Sequence, residues 1–182
     1  MISGNAGLFD SASGGTFKDL KLNGTVNGTF YTGGLIGGGS GVTLDNIEAN
    51  VTVSGGSYTG GLVGRLLGTL PATAERTPDI SNCTVHGSVI GRRYVGGIAT
   101  SSADNSPKIE NCHNYASITS TGTGGNNASA AGIWACNTYN AGGKFTSCTN
   151  NGAVTAQKYA AGIATAGTSV IGCVNSNAVV SN

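Results

Sequence analysis

The sequence has few charged residues, few prolines and no long apolar run. Only 9% of its 182 residues are charged, and the formal net charge is +1. Lysine and arginine are scattered, so the basic patch of a nucleic-acid-binding protein is lacking and we expect no nucleic-acid partner. No apolar run approaches the roughly 20 residues of a membrane helix, so we expect no membrane insertion. Residues 1–4 lack the basic and apolar regions of a signal peptide.

The sequence is rich instead in glycine and in small or β-branched residues. It contains 32 glycines, and 38% of its residues are hydrophobic. Glycine inside a helix costs about 1 kcal/mol relative to alanine, so this composition disfavours helices. A chain of this length can bury one core. We therefore predict one all-β domain over residues 1–182, with tight turns between short strands.

A glycine-containing motif recurs along the chain. The heptapeptide YTGGLIG at residues 31–37 returns as YTGGLVG at 58–64. More divergent copies lie at 94–99, 129–134 and 159–164. Fixed-period similarity of this kind is the signature of repeat proteins, in which each copy forms one structural unit.

A second motif, an apolar residue followed three positions later by another, precedes each copy. Its six starts are Phe17, Leu44, Ile80, Ile109, Phe145 and Val170. The residues three positions later are Leu20, Ile47, Cys83, Cys112, Cys148 and Cys173. Nine positions after each start stands a β-branched residue, namely Val26, Val53, Val89, Ile118, Val154 or Val179.

The spacing of the two motifs predicts a right-handed parallel β-helix, a solenoid of about five to six coils. Four of five copies keep the same spacing between the motifs, and we assign the variable lengths to insertion loops 65–79, 121–127 and 135–143. Stacking coils places equivalent residues over one another and builds a continuous core. We expect residues 37–41 to form a flexible turn.

Three further columns follow from this alignment, where a column is the set of residues at equivalent positions in successive copies. The motif glycines predict a bend that needs either positive φ or close backbone approach; they are Gly34, Gly61, Gly97, Gly132 and Gly162. An asparagine-rich column predicts a ladder that stabilises a turn, rather than a ligand site; it comprises Asp19, Asn46, Asn82 and Asn111. A tyrosine column predicts an aromatic stack, with a carbohydrate-contacting strip as the alternative; it comprises Tyr31, Tyr58, Tyr94 and Tyr159.

The segments 33–37 and 60–64 resemble the GLUG repeat, a Gly-Leu-Val-Gly-type module. The resemblance covers most of the chain, roughly residues 7–180, and weakens after the second full copy. It implies a β-helical segment of a large bacterial surface or secreted protein, such as an adhesin or the non-catalytic part of an immunoglobulin A peptidase. It therefore implies an extracellular or cell-surface location and supplies no catalytic residues.

The cysteines do not have the spacing of a compact metal motif. Cys83, Cys112, Cys148 and Cys173 share a column with apolar residues, while Cys136 lies outside it. We expect the column to be buried in the core; a disulfide between adjacent coils and a metal site are the less favoured alternatives.

Acidic and histidine side chains do not form a recognisable active site in this alignment. Asp45 and Glu110 share a column but lie two coils apart, about 10 Å with regular stacking, which is wider than most glycosidase carboxylate pairs. His86 and His113 fall in different columns, and we expect them on different faces. We therefore predict no enzyme activity, no catalytic or metal-binding residue and no cofactor.

The function we expect is that of a structural or adhesive repeat module that displays its loops from a stiff scaffold. Its partner would be a host glycan or a surface protein, bound through the loops. The alternatives are a carbohydrate-active β-helix, of the polysaccharide lyase or hydrolase type, and a trimeric phage or virion fibre segment. The end coils look cut, so we also expect a fragment of a longer chain, or end-to-end self-association.

Overall fold

The computed structural model describes residues 4–67, 79–101, 107–123, 128–136, 142–167 and 169–182. All regular elements in these ranges are β-strands, which confirms the all-β prediction. The strands are β1 (Phe9–Ser13), β2 (Thr16–Asn27), β3 (Tyr31–Gly33), β4 (Ile36–Ser40), β5 (Thr43–Ser54), β6 (Tyr58–Gly60), β7 (Val63–Leu67), β8 (Ile80–Ser81), β9 (Thr84–Gly91), β10 (Tyr94–Gly96), β11 (Ala99–Ser101), β12 (Lys108–Glu110), β13 (His113–Asn114), β14 (Ser117–Ser120), β15 (Ser129–Ala131), β16 (Trp134–Cys136), β17 (Lys144–Thr146), β18 (Thr149–Asn150), β19 (Val154–Ala156), β20 (Tyr159–Ala161), β21 (Ser169–Ile171), β22 (Val174–Asn175) and β23 (Val179–Ser181).

The strands form three parallel sheets. Sheet 1 has 13 strands and contains β2, β5, β8, β9, β12–β14, β17–β19 and β21–β23. Sheet 2 is β3-β6-β10-β15-β20, and sheet 3 is β1-β4-β7-β11-β16. Units 1 to 6 begin at residues 16, 43, 80, 108, 144 and 169. Units 1 to 4 contribute strands to sheets 1, 2 and 3 in turn, and the described part of unit 5 contributes strands to sheets 1 and 2 and an isolated bridge from Ala164 to Trp134 of sheet 3. The described part of unit 6 contributes to sheet 1 alone.

Equivalent residues of successive units pair in register, as the motif spacing predicted. Phe17 pairs with Leu44, Leu44 with Ile80 and Ile80 with Ile109, and the column continues through Phe145 to Val170. The β-branched column from Val26 to Val179 is paired in the same way. Because the inner members of both columns are fully buried, these ladders form the core between the sheets.

The asparagine-rich column stands at the predicted turn, and its side chains bond in two pairs, with the Asn82 amide donating to Asp45 rather than to Asn46. Asp19, Asn46, Asn82 and Asn111 all have positive φ, between 49° and 57°. The Asn46 side-chain amide donates to Asp19 Oδ1 at 2.7 Å, and the Asn111 amide donates to Asn82 Oδ1 at 2.7 Å. Short polar side chains tolerate the left-handed conformation, which explains their position at this corner.

The motif glycines meet their prediction through the second of its two alternatives. None of the five has positive φ; the left-handed residues stand in the asparagine-rich column. Close backbone approach is confirmed, because a Cβ at Gly34, Gly61, Gly97 or Gly132 would meet the carbonyl oxygen of the next motif glycine. Only glycine leaves room for the adjacent units to pair at this corner.

Two predicted loops begin later than the sequence suggested. Residues 65–67 belong to β7, where Arg65 pairs with Gly38, and residues 135–136 belong to β16. The predicted turn at 37–41 is likewise strand β4 up to Ser40. Glycine weakens strand propensity, but pairing with neighbours on both sides holds these residues in a sheet. Residues 68–78, 124–127 and 137–141 of the predicted loops lie outside the described residues.

Candidate functional site

A groove of about 270 Å³ lies beside sheet 3, lined by residues of units 1 and 2 and of the segment before unit 1 that contains β1. Strands β1, β4 and β7 pair there, so that Ser11, Gly38 and Arg65 form one row. A Cβ placed on Gly38 would lie 3.4 Å from Asn5 Nδ2 and 3.9 Å from Tyr31 Cδ2, which leaves the floor of the groove open. The lining residues are Asn5, Ser11, Ala12, Ser13, Tyr31, Gly38, Gly39, Ser40, Arg65 and Leu67.

Arg65 is the one charged residue among those that line the groove. Its guanidinium carbon lies 4.9 Å from the centroid of the Tyr31 ring, a cation–π contact. Its Nε is buried and has no hydrogen-bond partner among the described residues. Buried donors are nearly always paired in proteins, so the protein contacts among the described residues leave the hydrogen-bonding capacity of this guanidinium incompletely used.

The tyrosine column forms the predicted aromatic stack over its first three members. The Tyr31 and Tyr58 rings are 5.4 Å apart, and the Tyr58 and Tyr94 rings are 5.0 Å apart and stacked. Ser129 separates this stack from Tyr159. Tyr58 and Tyr94 are buried, so they present no ring face to a sugar; the half-buried Tyr31 lines the groove.

Asp45 and Glu110, the two acidic residues that share a column, both make contacts within the protein. The register places Asp45, Ser81 and Glu110 in one column, two units apart, as expected. Asp45 Oδ1 accepts hydrogen bonds from Ser81 Oγ at 2.8 Å and from the Asn82 amide at 2.7 Å. The Asn82 hydrogen bond, followed by that of Ser81, lowers the pKa of Asp45. Glu110 forms an ion pair with Lys108 at 3.1 Å.

The two histidines share a face of sheet 1, contrary to the expectation. His86 pairs with Asn50, and His113 pairs with Thr84, two residues before His86. Because side chains alternate along a strand with a period of two, positions 84 and 86 point to the same side. The rings nevertheless have separate partners: His86 stacks on Tyr115 at 4.9 Å, and His113 Nδ1 lies 2.8 Å from Thr149 Oγ1.

The cysteine column lies in the core, as the sequence predicted. Cys83, Cys112 and Cys148 are fully buried, Cys173 is half-buried, and all five cysteines are free thiols. Burial raises the pKa of Cys112 well above its ordinary value, so this thiol is protonated at neutral pH. Cys136, outside the column, ends β16, and its backbone N–H donates to Thr165 Oγ1 at 3.0 Å.

A second asparagine ladder, which is buried, was not predicted from the sequence. Asn114 and Asn150 are fully buried, and the Asn114 amide donates to Asn150 Oδ1 at 2.7 Å. The Asn150 amide in turn donates to Asn175 Oδ1 at 2.7 Å. The signal was available, because Cys-x-Asn recurs in units 4, 5 and 6, two residues after each column cysteine.

Comparison with known proteins agrees with the repeat motif. A family model, the GLUG motif, matches residues 55–90, which include the second full copy of the glycine motif. No curated protein sequence and no solved structure matches the chain. Within the described ranges, no group of three or more His, Cys, Asp or Glu residues could hold a metal ion. None of the described segments is a helix long and apolar enough to cross a membrane.

Proposed function

Starting from the GLUG motif at residues 55–90, we propose that the chain is a right-handed parallel β-helix that serves as a non-catalytic structural or adhesive module of a bacterial surface or secreted protein. The observation that carries the proposal is the in-register pairing of each unit with the next throughout sheet 1. A unit of this size cannot bury its apolar face alone, and stacking supplies the missing core. Right-handed crossovers are the strong preference of parallel strands.

The contacts of the ionisable residues support a non-catalytic role. A catalytic acid or base must reach a substrate and have a second group positioned beside it. Asp45 instead accepts two hydrogen bonds from the neighbouring unit, and the two histidines have separate partners. These groups hold adjacent units together.

A rigid stack suits the display of binding segments. Strands β7, β14 and β16 end at Leu67, Ser120 and Cys136, within or just before the loops predicted at 65–79, 121–127 and 135–143. Binding residues are concentrated on loops held by rigid scaffolds. A host glycan or a surface protein is the partner we propose for this surface, with the module outside the cell or on its surface.

We also propose that chains associate end to end. Unit 6 leaves apolar side chains exposed along its strands: Val170 is 54% exposed, Ile171 60% and Val174 51%. Unpaired strand edges of this kind pair readily with other strands. Light scattering of the purified chain at rising concentration should show growth of the particle mass, and a constant monomer mass would contradict the proposal.

The test of the main proposal is a glycan-array screen, followed by product analysis of each polysaccharide that binds. We expect binding without new reducing ends or unsaturated sugars. New chain ends that appear in proportion to protein concentration would show cleavage and overturn the non-catalytic assignment.

A further inference from the structure

Arg65 brings a positive charge and unused hydrogen-bonding capacity into the groove beside sheet 3. Its buried Nε has no hydrogen-bond partner among the described residues. The Tyr31 ring, 4.9 Å from the guanidinium carbon, packs against the side chain. The N–H donors of a guanidinium lie at the edge of its plane, and a carboxylate accepts two parallel hydrogen bonds from that edge. Arg65 therefore favours a carboxylate-bearing ligand.

The remaining polar groups of the groove favour a polyol. The hydroxyls of Ser11, Ser13 and Ser40 and the amide of Asn5 line the same space. Hydroxyl and amide groups both donate and accept hydrogen bonds, as sugar hydroxyls do. A simple carboxylate such as acetate only accepts, so it leaves the acceptors of these side chains unused.

The size of the groove limits the ligand. Its volume of about 270 Å³ is just below the range of about 300 to 1,000 Å³ that drug-sized ligands occupy. The groove suits one or two sugar rings rather than a long polymer segment.

We infer that this groove is a binding site for an acidic sugar residue, with the carboxylate on Arg65 and the ring hydroxyls on the serines and Asn5. The inference rests on the proposed display function and deepens it by naming a ligand class. It places binding on β1, β4 and β7 and on neighbouring Asn5 and Tyr31, in addition to the loops.

The experiment is an NMR titration of the ¹⁵N-labelled full chain with D-glucuronic acid, D-glucose and acetate. We expect glucuronic acid to shift amide signals around Gly38 and Arg65 and to bind at least about tenfold more tightly than glucose or acetate. Acetate binding as tightly as glucuronic acid would overturn the saccharide assignment. Glucose binding as tightly would overturn the role of the charge, and no saturable shift with glucuronic acid would overturn the site.

Two variants connect the binding to the groove. Arg65→Gln should weaken binding of glucuronic acid at least about tenfold, as expected for loss of a charge-assisted pair. Arg92→Gln, at an exposed arginine in unit 3, is the matched control and should leave binding unchanged. Gly38→Leu should abolish binding by filling the groove. Since a Cβ at Gly38 makes only ordinary contacts, at 3.4 Å to Asn5 Nδ2 and 3.9 Å to Tyr31 Cδ2, this variant should keep the circular dichroism spectrum and melting temperature of the parent.

The outcomes separate this inference from the proposed function. Glucuronic acid that binds at Arg65 while an oligouronate is cleaved supports the groove and overturns the non-catalytic role. Glycans that bind on the array while glucuronic acid causes no shift leave the adhesive role in place and overturn the groove. Binding that Arg65→Gln and Gly38→Leu leave unchanged would also overturn it.

Discussion

The early units, 1 and 2, and the late units, 4 and 5, form sheet 1 with strands of different length and with different interior side chains. In units 1 and 2, sheet 1 is formed by unbroken strands of 12 residues, β2 and β5. In units 4 and 5 the equivalent stretch is divided into three short strands each. One interior column changes at the same place, from Leu22, Ala49 and Val85 to Asn114, Asn150 and Asn175.

The buried asparagines explain the second of the two breaks in each late stretch, between β13 and β14 and between β18 and β19. The Asn114 amide donates to the Ala116 carbonyl at 3.0 Å, and the Ala116 N–H donates to Asn114 Oδ1 at 3.2 Å. Side-chain bonds to the backbone two residues on replace strand pairing with a turn. Units 1 to 3 lack this side chain; two positions further on, units 1 and 3 have a glycine with positive φ, Gly24 at 146° and Gly87 at 98°, and unit 2 has Val51. The strand of sheet 1 therefore continues through this point in units 1 to 3 and is interrupted by the asparagine turn in units 4 and 5.

Removing a buried asparagine should have the largest effect. Asn150 bonds to Asn114, Asn175 and the Gly152 carbonyl, so Asn150→Ala leaves buried groups unpaired. We expect a loss of about 4 kcal/mol in the free energy of unfolding, measured in urea. Val85→Ala, in the same column of unit 3, removes only apolar contacts and should cost about 2 kcal/mol. Equal losses in the two variants would contradict the distinction between the units. Asn23→Ala, at an exposed position, should cost less than about 0.5 kcal/mol.

A methyl group on a motif glycine should have the next largest effect. A Cβ on Gly132 would meet both the Gly162 carbonyl and the Asn150 side chain, and we expect Gly132→Ala to cost about 3 kcal/mol. At Gly34 the side-chain neighbour is Val51 Cγ2, at 3.3 Å, and apolar contacts adjust more easily than a hydrogen-bonded ladder. Gly34→Ala should therefore cost about 2 kcal/mol. Thermal unfolding of the two variants checks the order, and the reverse order would contradict it.

The rates of thiol labelling at Cys112 and Cys173 should differ because the two cysteines differ in burial. Cys112 is fully buried and its pKa is raised by burial, whereas Cys173 is half-buried. Since the thiolate is the reactive form, iodoacetamide at pH 8 should modify Cys173 at least about 100-fold faster, equivalent to roughly 2.7 kcal/mol. Mass spectrometry of tryptic peptides gives the rates. In urea the two sites should react alike, and equal rates in the native protein would show that the column is open.

Substitution of Asp45, which joins unit 2 to unit 3, should have the smallest effect on the free energy of unfolding. Hydrogen bonds lower its pKa in the folded protein, so its contribution is complete above the unfolded pKa of about 3.9 and is lost as the pH falls through the lower folded value. Because solvent screens this half-buried carboxylate, Asp45→Asn should cost only about 0.5 kcal/mol at pH 7 and close to nothing near pH 2. Urea unfolding at both pH values measures the difference, with the exposed Asp10→Asn as control. A larger loss at pH 2 than at pH 7 would contradict the assignment.

The register of the core could be predicted from sequence, and the corner conformations could not. Apolar residues repeated with constant spacing align in only one way, which is why the column of Phe17 was found. The glycine at position 97 and the asparagine at position 82 are both compatible with a bend, and sequence alone does not say which has positive φ. The three-dimensional contacts decide it, because Gly97 is required for close approach and Asn82 for the left-handed turn.

The groove was not predictable because its parts belong to different repeat units. Tyr31 was aligned with other tyrosines and Arg65 was assigned to a loop, and the two meet only through stacking of β4 on β7. The buried Asn114 column was missed for another reason. Polar residues in a core column contradict the simple apolar pattern, and their mutual hydrogen bonds become evident only when successive units are superposed.

The pairing of each unit with its neighbours determines how the molecule responds to a mechanical load. The interstrand hydrogen bonds of a parallel stack point along the stacking direction, so tension between the two ends loads the successive interfaces in series. The weakest interface opens first and releases one unit of chain. A unit of about 30 residues, at about 3.4 Å per residue, lengthens the molecule by about 100 Å, so an optical trap should record extension in discrete steps, one for each unit.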